Sequence, residues 1–139
     1  MKKHGFTLIE VLIATLLVGL AIASLLVANG SFTKANAAAT DLSTAEFLIE
    51  QVRERSASVN YGDLRGLEHF NNVPFSPPIN ANGENLSSFA AFSERITVEN
   101  VSESNFENVV PDSNFVRVTV KIFLNSREIS SARWLRARY

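Results

Sequence analysis

The N-terminal part of the chain carries one long apolar stretch. Residues 11–28 are uncharged and mostly aliphatic, and Glu10 stands immediately before them as an isolated charge. Eighteen such positions are the lower limit for a helix that crosses a bilayer. The flank in front of the stretch is basic, with Lys2 and Lys3, which favours a cytoplasmic N-terminus. The pattern predicts a membrane-spanning helix within residues 6–30.

Apolar residues continue at helical spacing beyond this stretch, now among alanine, serine and charged residues. Gaps of three or four positions place one stripe on a single helix face: Phe32, Ala35, Ala39, Leu42, Ala45, Ile49 and Val52. The pattern predicts an amphipathic helix over residues 31–58 whose stripe packs on a globular domain. We expect the two halves to form one helix, with Gly19 and the Asn29-Gly30 pair weakening it and favouring a bend near Gly30.

Residues 59–139 are predicted to form a loop followed by a sheet. Prolines and Gly83 interrupt any regular pattern in the loop, and its four phenylalanines are expected to pack on the sheet or the helix: Phe70, Phe75, Phe89 and Phe92. An exposed aromatic patch for adhesion is the alternative. Alternating apolar residues then predict strands at residues 95–101, 115–124 and about 128–138, with a turn at Asn125-Ser126.

The fold class expected from these elements is α+β. A long N-terminal helix, half membrane-spanning and half amphipathic, packs on a small antiparallel meander of about three strands. At 139 residues the chain is long enough for one small domain and one further element.

The composition limits the kinds of binding and metal sites that the chain could contain. The net charge is −1, which gives no reason to expect a nucleic-acid partner, and the absence of cysteine excludes disulfides and thiolate metal sites. His4 and His69 have no partner at ligand spacing, so zinc is not expected. Asp112 and Asn114 are too few for a calcium site. The sequence predicts no catalytic residues, no metal and no cofactor.

The N-terminus, Lys2-Lys3-His4-Gly5 followed by Phe6-Thr7-Leu8-Ile9-Glu10, resembles the type IV prepilin-like family of pilins, minor pilins and type II secretion pseudopilins. The resemblance covers about the first 30 residues. It implies that a prepilin peptidase removes the leader, residues 1–5, by cutting between Gly5 and Phe6. It also implies methylation of the Phe6 amine and retention of the helix as membrane anchor and polymerisation device.

The same resemblance implies an assembly role for Glu10. A carboxylate at bilayer depth is costly and needs a partner, and the basic amine of Phe6 that cleavage exposes in a neighbouring subunit would provide one. Such a pair would fix the axial register of a filament. Alternatively, Glu10 folds back on its own helix N-terminus, where the helix dipole also favours a carboxylate. The sequence leaves both roles open.

The C-terminal segment concentrates positive charge around two aromatic residues: Arg127, Arg133, Arg136 and Arg138 with Trp134 and Tyr139. Such a cluster could bind DNA. We favour the other interpretation, in which the arginines protect an edge strand from aggregation, with Glu94, Glu99 and Glu103 as nearby counter-charges.

The sequence therefore predicts a non-enzymatic minor pilin or minor pseudopilin, because the domain is short and lacks a C-terminal cysteine pair. It would insert in the bacterial inner membrane and join or prime a type IV pilus or a type II secretion pseudopilus. Its expected partners are the prepilin peptidase, other pilins or pseudopilins and the inner-membrane assembly platform. Two rivals are a membrane-anchored binding domain that never polymerises and a soluble domain released by cleavage at Ala23.

Overall fold

A computed structural model describes residues 5–59 and 71–137 of the chain. In this part of the chain, one long helix precedes a four-stranded sheet. The elements are α1 (Leu8–Ser58), β1 (Pro74–Phe75), β2 (Phe92–Asn100), β3 (Phe115–Leu124) and β4 (Arg127–Ala137), with a short 3-10 helix at Ser87–Phe89. Residues 1–40 and 41–139 form two compact units, and each is described by itself.

Helix α1 confirms the prediction that the apolar and amphipathic segments share one helix. The backbone is helical at Gly19, Asn29 and Gly30, so neither the glycines nor the turn-prone pair ends the element. A Cβ atom built at either glycine would meet nothing within 4 Å. Packing around these two positions therefore does not require glycine.

The predicted apolar stripe of the amphipathic half is only partly correct. Of its seven members, Ala45, Ile49 and Val52 are buried. The other four are exposed: Phe32, Ala35, Ala39 and Leu42. Leu48 and Ser56, which lie beside the stripe, are buried instead. The pattern identified an apolar face correctly but could not tell where along the helix a domain would cover it.

The sheet is antiparallel with the strand order β1-β2-β3-β4. It contains one strand more than the three predicted, because the two-residue β1 pairs with β2 through Pro74 and Phe75. Strand β2 begins at Phe92, three residues earlier than predicted. The turn at Asn125-Ser126 is confirmed, and both residues have positive φ values, 49° and 67°. A two-residue loop of this kind matches the twist of a hairpin.

The core lies between residues 41–58 of α1 and the inner face of the sheet. The predicted valine face of β3 is confirmed, since Val116, Val118, Val120 and Ile122 are at most 4% exposed. Leu48 of α1 is fully buried against this cluster. Burial of an aliphatic side chain of this size contributes about 1.5–3 kcal/mol.

Three of the four loop phenylalanines are confirmed as packing residues. Phe92 is buried, while Phe75 and Phe89 pack at the margin of the core. The ring centroids of Phe89 and Phe92 lie 6.3 Å apart in an edge-to-face contact. These three residues therefore do not form the exposed aromatic patch considered as the alternative. Phe70 lies outside the described residues.

Candidate functional site

Helix α1 starts with reciprocal hydrogen bonds between Thr7 and Glu10. The backbone N–H and the hydroxyl group of Thr7 donate to Oε2 of Glu10 at 2.7 and 2.8 Å. The backbone N–H of Glu10 donates to Oγ1 of Thr7 at 3.3 Å. Thr7 is therefore the N-cap and Glu10 the third residue of the helix, which is the capping box. The carboxylate also lies at the positive end of the helix dipole.

This geometry bears on the two roles that the sequence left open for Glu10. The side chain does fold back on its own helix N-terminus, but the group it contacts is Thr7 rather than the nitrogen of Phe6. Among the described residues, none donates a hydrogen bond to Oε1 of Glu10. Capping and a bond to an external amine are compatible, because they would use different oxygen atoms of the carboxylate.

Gly5 and Phe6 precede the helix and are exposed. Residues 5–7 have no regular secondary structure, and the side chain of Phe6 is 90% exposed. A Cβ atom at Gly5 would meet nothing within 4 Å, so no contact within the described chain requires glycine there. The peptide bond between the two residues therefore lies in an exposed part of the described chain. The predicted leader residues Lys2 and Lys3, and His4 with them, lie outside the described residues.

The N-terminal part of α1 is long and apolar enough to cross a membrane. Its most apolar 18-residue window has a mean hydropathy of 2.8, and none of that window is buried within the chain. The few hydroxyl groups in this region are satisfied locally, since Thr15 donates to the carbonyl of Leu12 and Ser24 to that of Leu20. In an apolar solvent such as a bilayer, polar groups must form their hydrogen bonds within the protein.

The C-terminal arginines and Trp134 are not gathered into one binding surface. Arg133 pairs with Glu107 at 3.2 Å. The indole N–H of Trp134 donates to Oγ of Ser56 at 3.2 Å, on the side of α1. Arg136 donates to the backbone carbonyls of Ser56 and Val59, at the end of the helix. Arg138 and Tyr139 lie outside the described residues. Each of these partners therefore belongs to the chain itself.

Among the described residues, none of the three expected counter-charges, Glu94, Glu99 and Glu103, pairs with one of these arginines. Glu99 pairs with Arg117 at 2.8 Å, and Glu103 accepts a hydrogen bond from Asn114. Glu107, which the sequence interpretation did not include, binds both Arg117 and Arg133. Glu94 is buried and faces the core. Strand pairing decided these partners, and the loop between β2 and β3 that carries Glu107 folds back to reach them.

Glu94, expected from the sequence as a counter-charge, is instead a buried titratable residue. Its Oε1 accepts a hydrogen bond from the backbone N–H of Ile79 at 3.2 Å, while Oε2 is buried without a hydrogen bond from any described residue. Burial raises the pKa of Glu94 to about 7, against the opposing effects of the Ile79 N–H and the charge of Arg55. The sequence did indicate this burial, because Glu94 alternates with Phe92 and Ile96 along the strand and lies on the same inward face.

Glu94 belongs to a set of polar side chains that holds the segment 76–86 in place. Gln51 of α1 accepts a hydrogen bond from the backbone N–H of Ala81 at 3.2 Å. The guanidinium group of Arg55 packs against Gly83, whose φ of 85° places it in the left-handed region. Helix and sheet therefore both contact the backbone of this segment. The arrangement fixes a loop.

Within residues 5–59 and 71–137, no group of three or more histidine, cysteine, aspartate or glutamate residues could hold a metal ion. Asn114, which was considered with Asp112 for a calcium site, donates a hydrogen bond from its side-chain amide to Glu103 at 2.8 Å. His69 lies outside these ranges.

Comparison with known proteins adds one match. Residues 1–26 match the family model described as the prokaryotic N-terminal methylation motif, the type IV prepilin-like signature. The matched residues include Gly5, Phe6 and Glu10, together with both leader lysines, and they end within the apolar stretch. No curated protein and no solved structure matches the chain.

Proposed function

We propose that this chain is the precursor of a minor pilin or minor pseudopilin. It is cleaved between Gly5 and Phe6, methylated at the Phe6 amine, and held in the bacterial inner membrane by the apolar part of α1. From there it joins or primes a type IV pilus or a type II secretion pseudopilus. Its role is structural, and we propose no enzymatic activity.

The observation that carries this proposal is the N-terminal motif together with its geometry. The motif is that of a type IV pilin-like precursor. The bond to be cut lies in an exposed, non-helical segment, and the helix begins two residues after Phe6. A peptidase can therefore reach the bond without unwinding α1. The open space around Gly5 supports the view that the enzyme imposes the requirement for glycine.

Glu10 would act after this cleavage. Hydrolysis of the Gly5–Phe6 bond releases the α-amino group of Phe6, which is basic and stays basic on methylation. Thr7 and Glu10 both follow the cut, so the atoms of the capping box are retained. Oε1 of Glu10 would then accept a hydrogen bond from the amine of a neighbouring subunit. Because the surroundings are apolar, the attraction is stronger than it would be in water.

The expected partners follow from these steps. The prepilin peptidase acts on Gly5 and Phe6, and other pilins or pseudopilins contact the apolar helix, whose side chains are exposed in the single chain. The basic leader favours a cytoplasmic N-terminus and an extracytoplasmic C-terminal unit. The inner-membrane assembly platform would receive the processed subunit.

The intact mass of the mature protein tests the proposal directly. Loss of residues 1–5 with the gain of one methyl group is the expected result. Loss of residues 1–23 would instead indicate a soluble secreted domain. An unprocessed chain that stays in the membrane would support the rival anchored binding domain.

Variants of Gly5 test which enzyme acts. We expect Gly5→Ala to be processed poorly and Gly5→Val not at all, because the residue before the cut must be very small in this family. Retention of the leader is measured by mass. Since a Cβ atom at this position meets none of the residues that the structure describes, misfolding would not account for a loss of processing. Efficient cleavage of the valine variant would mean that another protease acts.

A further inference from the structure

The segment 76–86, which lies over Glu94, has a hydrogen-bond framework of its own. The backbone N–H of Leu86 donates to the carbonyl of Pro78 at 2.7 Å. The backbone N–H of Asn80 donates to the carbonyl of Glu84 at 2.9 Å, and the side chain of Asn80 accepts two further N–H groups of the segment. These bonds begin and end inside the segment, so they do not depend on its contact with the helix or the sheet.

Two hydrogen bonds tie this segment to other described elements, and both end on side chains. The backbone N–H of Ile79 donates to Oε1 of Glu94 in β2, and that of Ala81 donates to the side-chain oxygen of Gln51 in α1, each at 3.2 Å. Breaking these two bonds would leave the internal framework of the segment intact.

The apolar contacts of the segment lie outside the main core. Ile79 and Pro78 are buried, but Ile79 does not belong to the cluster formed by α1, β2 and β3. The two ends of the segment are anchored separately. Phe75 pairs with Glu94 before it, and Phe89 packs at the margin of the core after it. Outward movement of the segment would therefore leave the main core in place.

The carboxyl group beneath the segment is poorly suited to carry a charge there. Oε1 of Glu94 has the N–H of Ile79, whereas Oε2 is buried without a hydrogen bond from any described residue. The charged group that faces it from α1 is Arg55, which offsets the burial only in part. The segment's own carboxylate, Glu84, is exposed, and β3 places the apolar Ile122 opposite Glu94. An ionised Glu94 is therefore costly until water reaches it.

We propose that segment 76–86 is a pH-sensitive cover, which stays closed over Glu94 while the carboxyl group is protonated and moves away as one unit when the group ionises. Opening hydrates the carboxylate and removes the desolvation that disfavours its charge. This inference does not depend on filament assembly.

The direction and size of the effect follow from proton linkage. Burial raises the pKa of Glu94 from 4.5 to about 7 when the cover is closed. The closed state therefore binds the proton more tightly, and its advantage is complete below pH 4.5 and is lost as the pH rises to about 7. If opening restores the ordinary pKa, the open state becomes at most about 70-fold more frequent at pH 8 than at pH 5.

Amide hydrogen exchange of the full chain in an uncharged detergent, resolved by NMR at pH 5 and pH 8, tests the proposal. Exchange is expressed as protection factors, which removes the intrinsic effect of pH on the exchange rate. The amides of Ile79 and Ala81 should lose protection by about tenfold or more at pH 8, because their acceptors lie outside the segment. The amides of Asn80 and Leu86 should lose much less, because their acceptors move with them.

The dependence on urea separates local opening from unfolding of the whole unit. Exchange at Ile79 and Ala81 should change little in low concentrations of urea, because opening exposes little surface. The amide of Val120, in the central strand β3, should exchange with a steep urea dependence, because its exchange requires global unfolding.

Matched variants identify the titrating group. Glu94→Gln should make the protection of Ile79 independent of pH, with retention of the fold checked by circular dichroism. Glu84→Gln removes an exposed carboxylate of the segment itself and should leave the pH dependence unchanged. Gln51→Ala should lower the protection of Ile79 by about threefold to tenfold at both pH values, because one tie of the closed state is lost while Glu94 still titrates.

Several results would overturn the proposal. Protection of Ile79 and Ala81 that is the same at pH 5 and pH 8 would show that Glu94 does not control the segment. A urea dependence as steep as that of Val120 would exclude local opening. Equal loss of protection at Asn80 and Leu86 would mean that the segment unravels instead of moving as one unit.

Discussion

Two carboxylates occupy apolar stretches of this chain in opposite ways, Glu10 at the start of α1 and Glu94 within β2. Glu10 is exposed, with Oε2 bound by two donors of Thr7 and Oε1 without a donor among the described residues. Glu94 is fully buried, and a single backbone N–H is its hydrogen-bond donor. The exposed group keeps an acceptor for a partner outside the chain, whereas the buried group must be accommodated by its own fold.

The physical reason for the difference is desolvation. Burial disfavours the charged form of Glu94, and Arg55 with the Ile79 N–H offsets this only in part. Glu10 is exposed in the single chain. It would become desolvated only when other molecules surround it, and it would then need a partner charge. Glu94 should therefore affect stability, and Glu10 should affect association.

The largest expected effect is the loss of assembly in Glu10→Val. The variant should still insert and be cleaved, because removing a charge makes the segment more apolar. It should fail to join its filament partners, because the neighbouring amine loses its counter-ion. Glu10→Gln keeps the shape without the charge and should be intermediate. Co-purification and cross-linking measure incorporation, with intact mass as the control for cleavage and methylation.

Normal incorporation of a fully processed Glu10→Val subunit would contradict the register role and leave only the capping role for this carboxylate. A partial defect would indicate a position at the filament tip, where the subunit has one neighbouring interface instead of two.

The second effect concerns the pH dependence of stability through Glu94. In the folded state its pKa is raised from the ordinary value of 4.5 to about 7. The folded chain therefore binds the proton more tightly, and the stabilisation present below pH 4.5 is lost as the pH rises to about 7. The difference corresponds to about 3 kcal/mol. Glu94→Gln should remove this loss and raise the free energy of unfolding at pH 8, with little change at pH 4.

Thermal unfolding followed by circular dichroism at both pH values measures this effect. Glu54→Gln is the control, because Glu54 is exposed and its replacement should leave the pH dependence unchanged. A Glu94→Gln variant that retains the wild-type dependence would show that another group is responsible.

The third effect is that of Gly83→Ala, which disturbs the surroundings of Glu94 without changing its carboxylate. A Cβ atom there would contact Nη1 of Arg55, and the φ of 85° disfavours alanine. We expect a loss of about 1–2 kcal/mol from the backbone conformation alone. Displacement of Arg55 should also raise the pKa of Glu94 further. Gly30→Ala, on the helix and in open space, should cause no loss. Equal stability of the two variants would contradict the left-handed conformation of Gly83.

The smallest effect is that of Thr7→Val on the start of α1. Valine keeps the shape of threonine but removes the hydroxyl group that caps the helix, which costs about 0.5–2 kcal/mol locally. Thr7→Ser should restore the cap. Amide hydrogen exchange at residues 8–11 measures the fraying, and equal exchange in both variants would show that the capping box does not hold this end.

The strands and the helix were predictable because each depends on a local pattern. The alternation in β3 and the turn at Asn125-Ser126 follow from rules that act over a few neighbouring residues. The motif at Gly5, Phe6 and Glu10 could also be identified from the sequence, since it lies within one contiguous segment. β1 was not predicted, because two residues carry no periodicity and become a strand only when β2 is beside them.

The sequence by itself determined the apolar helix, the valine face of β3 and the N-terminal motif, because spacing along the chain is enough to define them. Only the tertiary structure decided that Phe32 and Leu42 stay exposed, that Glu94 is buried under segment 76–86, and that Glu107 rather than Glu94 pairs with Arg133. Burial and ion pairing depend on which distant segments meet. The register of the strands and the return of a loop onto the sheet decide which segments are in contact. Burial and ion pairing are therefore determined jointly by residues that lie far apart in the sequence.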